Sequence, residues 1–151
     1  MRHNASIGKS LYIAAVAVHP KDPTYRVKHN VAAIVRVAFD ESALTGKLTE
    51  ATAFPEGDLR RNYFAGDRLA RTVRRVEAIK QVISGSEPDV ATAALKFALK
   101  PPAVSTVIAG IRNSGQAEKN CTVGNSPPMS DALEAKLRHH YWRRVFWHQG
   151  K

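Results

Sequence analysis

Residues Pro102 to Asn120 constrain the fold of this 151-residue chain more than any other stretch. Pro101-Pro102 ends any helix before it, because proline lacks an amide donor and disfavours helical geometry in the preceding residue. Val104–Ile108 is uncharged and rich in β-branched residues, and it reads as a buried strand. Gly110 follows as a turn where the missing Cβ permits close backbone approach. Asn113 and Gln116 have the spacing of an N-cap and its N3 partner, so the sequence predicts a helix near Ser114–Val123. A helix starting at a strand's exit offers unpaired N–H groups and the positive end of its dipole to a phosphate. Arg112 adds a permanent cation whose planar donor fork suits a pair of phosphate oxygens.

The rest of the chain fits an α/β layout. Val31–Val37 is β-branched and apolar on both faces, as expected of a strand in a parallel barrel. Gly8–Pro23 reads as another strand with a polar exit. Asp40–Asp67 is a long loop rich in Gly, Pro and charge, with Phe54, Tyr63 and Phe64 as expected anchors. Leu69, Val73, Val76, Ile79 and Ile83 form one stripe of a helix over Asp67–Ile83. Arg68, Arg71, Arg74 and Arg75 lie mostly off that stripe and read as a solvated outer face. After Ser84-Gly85-Ser86, Ser86 and Asp89 have N-cap/N3 spacing before Val90–Leu99, which is apolar nearly all round and therefore expected to be buried. Ser130 caps a last helix running towards Tyr141. Strands alternating with helices imply parallel pairing and right-handed crossovers, with at most three strands.

Composition excludes several classes of function. The net charge of +10 attracts polyanions generally, but no zinc-finger, RNP or basic-zipper pattern accompanies it, so no specific nucleic-acid partner is expected. Cys121 is the single cysteine, which rules out an internal disulfide and points to a reducing, cytoplasmic compartment. It is expected to be a small buried residue rather than a nucleophile. No apolar run approaches the roughly 20 residues that span a bilayer, and no cleavage pattern follows the short apolar run Leu11–Val18. His139 and His140, adjacent in a helix, point about 100° apart and cannot chelate one metal well. No metal site is expected, and G-x-G-x-x-G, the Walker loop, G-x-S-x-G and H-E-x-x-H are all absent.

Several linked motifs resemble one family. The stretch AALKFALKPPAVSTVIAGIRNSGQAEKN resembles the last strand and following helix of aldo-keto reductases, where STVIPG-x-R-x-x-x-Q-x-x-x-N binds the adenosine 2′-phosphate end of NADPH. VAAIVRVAFDESALTGK, at Val31–Lys47, resembles the family's seventh strand and the loop ending in LTGK. SDALEAKLRHHYWRR resembles its closing helix, and Gly8–Pro23 more weakly resembles its GKIRYIGVSV-x-x-P-x-D strand. The resemblance runs roughly from Val31 to Trp147. Ala38 and Ala109 stand where the family has proline, and Ala14, Val16 and Val18 where it tends to have glycine, serine and asparagine. The valines have no polar group to offer the nicotinamide amide.

The resemblance implies a partial (β/α)8 TIM-barrel-like fold, since a complete barrel takes ~250 residues. Residues 1–30 would be a divergent N-terminal segment with one strand, and residues 31–151 the C-terminal part of the barrel. Little chain lies between Pro23 and His29, so the chain reads as shortened internally as well as at its start. Gly110, Arg112, Gln116 and Asn120 would hold the 2′-phosphate and adenine of NADP. Phe39, Leu44, Thr45, Gly46 and Lys47 would flank the diphosphate, with Ser42 close by. The family transfers hydride from NADPH to a carbonyl with an Asp–Tyr–Lys–His tetrad, whose lysine lowers the pKa of the proton-donating tyrosine. None of Tyr12, Tyr25, Tyr63 or Tyr141 lies in the D-x-A-x-x-Y-G context, and no histidine lies in the strand-end motif. No catalytic residue is therefore assigned. The expectation is a reductase-like chain that keeps the NADP phosphate grips and is inactive alone. Open strand edges would favour self-association or a partner chain supplying the missing half. A non-catalytic nucleotide-binding or regulatory module and a basic polyanion-binding protein are the alternatives.

Overall fold

The computed structural model describes Lys28, His29 and residues 32–142; the expected strand at Gly8–Pro23 lies outside the described residues. Strand β1 (Ala33–Arg36) leads into a 3-10 turn (Ala43–Thr45) and four-turn helix α2 is reached through short α1: α1 spans Leu59–Tyr63, and α2 Arg68–Ile83. Helix α3 (Val90–Leu99), strand β2 (Val104–Ile108), α4 (Ser114–Gly124) and α5 (Asp131–Arg138) follow. The long loop expected over residues 40–67 thus contains the 3-10 turn and α1.

The two strands pair in parallel, with Ile34 opposite Thr106, Val35 opposite Val107 and Arg36 opposite Ile108. A parallel pair needs a crossover, which the three helices between them supply. The sheet differs from the expectation of a strand apolar and covered on both faces. Ala33 and Val35 are buried beneath the helices, whereas Ile34 and Ile108 are 55% and 56% exposed on the other face. Branched residues suit either side of a pleat; packing, not strand propensity, decides which side is covered.

Helix α3 holds the centre. Seven of its residues are buried, Val90, Thr92, Ala93, Ala94, Leu95, Phe97 and Ala98, so it packs on almost every side. Val76, Ile79 and Ile83 of α2, Leu133 and Leu137 of α5, and Met129 and Trp142 close over it. On the sheet side, Leu95 meets Ala38, Val123 and Val107. Lys100 fastens the end of α3 to the start of α5, donating to the Met129 carbonyl at 2.7 Å and the Asp131 carboxylate at 2.6 Å. Under the long loop, Tyr63 and Phe64 pack with Ala43, Phe54, Leu48 and Leu69, so the aromatics are anchors.

Helix α3 is capped by Asp89, which accepts the Thr92 N–H at 2.8 Å, not by Ser86. Pro88 explains the shift: a helix beginning after Ser86 would need Glu87 in helical geometry just before proline. Ser130 caps α5, accepting the Leu133 N–H at 3.2 Å, but α5 ends at Arg138, short of Tyr141. Cys121 is exposed, contrary to expectation; α4 buries only Val123, so the rest of its surface is open. The α2 arginines are engaged locally. Arg68 donates to the Tyr63 carbonyl at 2.8 Å, Arg71 pairs with Asp67, Arg74 with Glu50, and Arg75 lies 5.4 Å from the Trp142 ring. No helix among the described residues is long and apolar enough to cross a membrane.

Candidate functional site

The loop after β1 forms one wall of the site. Its backbone is left-handed at Val37 (φ 56°), Asp40 (46°), Glu41 (52°) and Ser42 (81°). Left-handed residues with a Cβ cost roughly 1–2 kcal/mol each, so contacts elsewhere must hold this shape. Asp40 is fully buried and accepts a hydrogen bond from the Tyr63 hydroxyl. Thr45 Oγ1 donates to the Ser42 carbonyl at 2.7 Å. Leu44 is fully buried in the helical core.

The opposite wall is the junction of β2 and α4. Asn113 Oδ1 accepts the Gln116 N–H at 2.9 Å, as the cap spacing predicts, while Gln116 Oε1 accepts the Arg112 N–H at 2.8 Å. Asn120 Nδ2 donates to the Gly110 carbonyl at 3.3 Å. These side chains fasten the turn to the helix it precedes. Gly110 is not left-handed, and a Cβ there would meet no heavy atom within 4 Å. The local fold therefore does not demand glycine at 110.

Between the walls runs a cleft of about 580 Å³. Arg36, Phe39, Glu41, Ser42, Thr45 and Lys47 line it from β1 and the loop, Arg60 from α1, and Gly110, Arg112, Gln116, Lys119 and Asn120 from the far wall. Seven of the nine residues proposed from sequence thus meet in one cleft: Phe39, Thr45, Lys47, Gly110, Arg112, Gln116 and Asn120. Leu44 points into the core, and Gly46 lines a separate pocket with Lys80, Ser84 and Val90. Arg36, Glu41, Arg60 and Lys119 are additions that tertiary placement brings in.

The cleft is cationic. Arg60 is gripped by Asp58, with Nε at 3.0 Å from Oδ1 and Nη2 at 2.6 Å from Oδ2, and it lies 5.0 Å from the Phe54 ring. That bonding, helped by the Arg60 N–H, pulls the Asp58 carboxyl down to about 2. Lys119 pairs with Asp89 at 2.5 Å; burial works against the charge on Asp89, but Lys119 and the Thr92 N–H outweigh it and lower its pKa. Arg36, Lys47 and Arg112 make no ion pair among the described residues. Glu41 is the acid in the cleft, its pKa raised by burial and by the neighbouring Asp40 charge. No group of three or more His, Cys, Asp or Glu side chains among the described residues is placed to hold a metal ion.

Comparison with known proteins gives this geometry a context. No curated protein matches the chain. A glycerol dehydrogenase from Gluconobacter oxydans has a similar structure, with a TM-score of 0.69 at 21% identity over 80% of this chain. The match spans 37% of the dehydrogenase's own length, and at that identity it speaks to fold alone. The sequence model of the aldo/keto reductase family matches residues 23–141. That match takes in β1, the left-handed loop, both walls of the cleft and helices α1 to α5, and the chain belongs to the aldo/keto reductase family.

Proposed function

We propose that this chain binds NADP, taking the adenosine 2′-phosphate and the diphosphate in the cleft between the loop after β1 and the start of α4. One observation carries the reading: Arg36, Lys47 and Arg112 converge on a single cleft with no ion pair among the described residues. Arg112 feels the Asp58 charge without a close contact to it, and cations gathered along one concave wall raise the local concentration of anions; a guanidinium can take two phosphate oxygens at once.

The residues present fit the cofactor. Arg112 stands beside a capped helix start, where backbone N–H groups face outward. The open space beside Gly110 leaves room for a ligand to approach the backbone. Phe39, Ala109 and Ile111 supply apolar wall suited to a nucleobase. In this reading Leu44 and Gly46 keep the loop in shape, while Thr45 and Lys47 face the diphosphate.

When bound, the cofactor supplies a hydride for carbonyl chemistry; this chain's residues grip and orient its phosphates. The tetrad contexts of the family do not occur in the sequence. The 151-residue chain by itself accordingly binds cofactor without turnover. The fold is then part of a (β/α)8 barrel; a second copy or another chain pairs its open strand edges, and only a different polypeptide segment can bring the tetrad.

A fluorescence titration with NADPH tests the reading. Saturable binding that weakens about 10- to 100-fold in Arg112→Ala, the range expected for losing a charged hydrogen-bond partner, supports it. No binding up to millimolar NADPH overturns it. NADPH-dependent carbonyl reduction by the purified chain overturns the claim of inactivity.

A further inference from the structure

The phosphate reading leaves one charged group in the cleft unused. Glu41 lines the cleft among Arg36, Lys47, Arg60, Arg112 and Lys119, so an acid stands where a phosphate would enter. Its left-handed backbone is braced between buried Asp40, which Tyr63 holds, and the Ser42 carbonyl that Thr45 holds. Those contacts fix the backbone that carries the side chain at the cleft.

The surroundings of Glu41 are poor for a negative charge. It is partly buried, Asp40 precedes it, and Asp58 is close enough to repel it. Arg60 opposes these effects. Yet Arg60 already donates to both carboxylate oxygens of Asp58 and reaches Ser42 Oγ at 3.4 Å, which limits what it can give Glu41.

We propose that Glu41 makes ligand capture proton-coupled: the cleft takes a phosphorylated dinucleotide with Glu41 neutral, its O–H donating to a phosphate oxygen. This rests on the NADP-phosphate reading of the cleft. The balance is simple. One proton comes from solvent to the carboxylate on binding, and no other bond is made or broken.

The sign of the pH dependence follows. A bound phosphate adds negative charge beside Glu41 and raises its pKa further above the ordinary carboxylate range. Affinity is therefore highest at acid pH. It falls as pH rises from the free-cleft pKa to that of the complex, then levels. The 2′-phosphate of NADP has its own second ionisation near pH ~6, which acts in the opposite direction. Comparison with a Glu41→Gln variant separates the two, because the ligand's ionisation is common to both proteins.

Calorimetric titration with NADP⁺ over pH 5 to 8.5, in two buffers of different ionisation enthalpy, tests the proposal. Wild type should take up more protons on binding than Glu41→Gln. The variant should bind about tenfold more tightly at pH 8, the factor that one pKa unit of coupling gives, with the gap closing towards pH 5. Equal affinities and equal proton counts at every pH overturn the proposal, as does weaker binding by Glu41→Gln at pH 8. If Arg112→Ala weakens binding while Glu41→Gln changes nothing, the role of Glu41 falls and the NADP reading stands. If wild type does not bind NADP⁺ at millimolar concentration, both fall.

Discussion

Asp58 is held ionised chiefly by Arg60, with a smaller contribution from the Arg112 charge. Arg60 contributes three side-chain hydrogen bonds and its backbone N–H, which pull the carboxyl down to about 2 from the ordinary ~3.9. A carboxyl depressed in the folded state adds stability above its unfolded pKa and loses it as pH falls towards 2. An NMR titration should place the Asp58 midpoint at about 2 in wild type and near 4 in Arg60→Ala; equal midpoints would refute the pairing. Glu41 has the opposite sign: its raised pKa adds stability at acid pH that is lost as pH climbs through the folded value. Two glycines make a contrasting pair. Gly46 sits at φ 72°, with Lys80 Cε and Val90 Cγ2 at 3.4 and 3.6 Å from an added Cβ. Gly46→Ala should cost about 1–2 kcal/mol, read as a lowered denaturant midpoint. Gly110→Ala meets neither obstacle, so it should leave the midpoint unchanged and weaken NADPH binding. At this scale the sequence was readable where a rule is local: Asn113 and Gln116 are three apart and bond as that spacing predicts. It misled at Cys121, whose exposure depends on what packs against α4.

At the scale of elements, the helix starts hold the molecule together as much as its apolar stripes. Asp89 caps α3 and also pairs with Lys119 of α4, so one carboxylate joins two helices at the cleft. Asp89→Ala should cost about 1–2 kcal/mol, while Ser86→Ala should cost almost nothing; a larger loss in Ser86→Ala than in Asp89→Ala would return the cap to Ser86. The periodic helices were legible because 3.6-residue repeats report a face directly: Val76, Ile79 and Ile83 are buried as the stripe predicts. The span of α3, Val90–Leu99, is as the sequence predicts, and only its cap differs: two acceptable caps stand three residues apart, and the restriction Pro88 imposes decides between them. The loop over residues 40–67 was the least legible. It opens on left-handed Asp40, Glu41 and Ser42, with left-handed Val37 just before it, and none of these announces that geometry as glycine would. Tertiary contacts impose it, and they also bring Arg60 and Glu41 to the cleft.

At the scale of the whole molecule, the sheet divides covered from open surface. The helices bury Ala33 and Val35, and the other face presents Ile34 and Ile108. Ile34→Thr should therefore change stability by less than about 0.5 kcal/mol, whereas Phe97→Ala, at the centre of α3, should cost about 3–5 kcal/mol. Denaturant unfolding monitored by circular dichroism distinguishes the two; comparable losses would mean that the open face is covered in solution. Motif order revealed the family, and the loop and turn it singled out line one cleft. Sequence could not show which strand face is open, because branched apolar residues look alike on both.

Leu44 has a consequence for how this protein tolerates mutation. It is rooted among Val76, Ile79 and Val90, while Thr45 and Lys47 just beyond it line the ligand wall. Leu44 is the point at which that wall is rooted in the helical core, while Ala38, Asp40 and Ala43 root it elsewhere. A volume change in the helices beside Leu44 is therefore passed to the shape of the cleft as well as to stability.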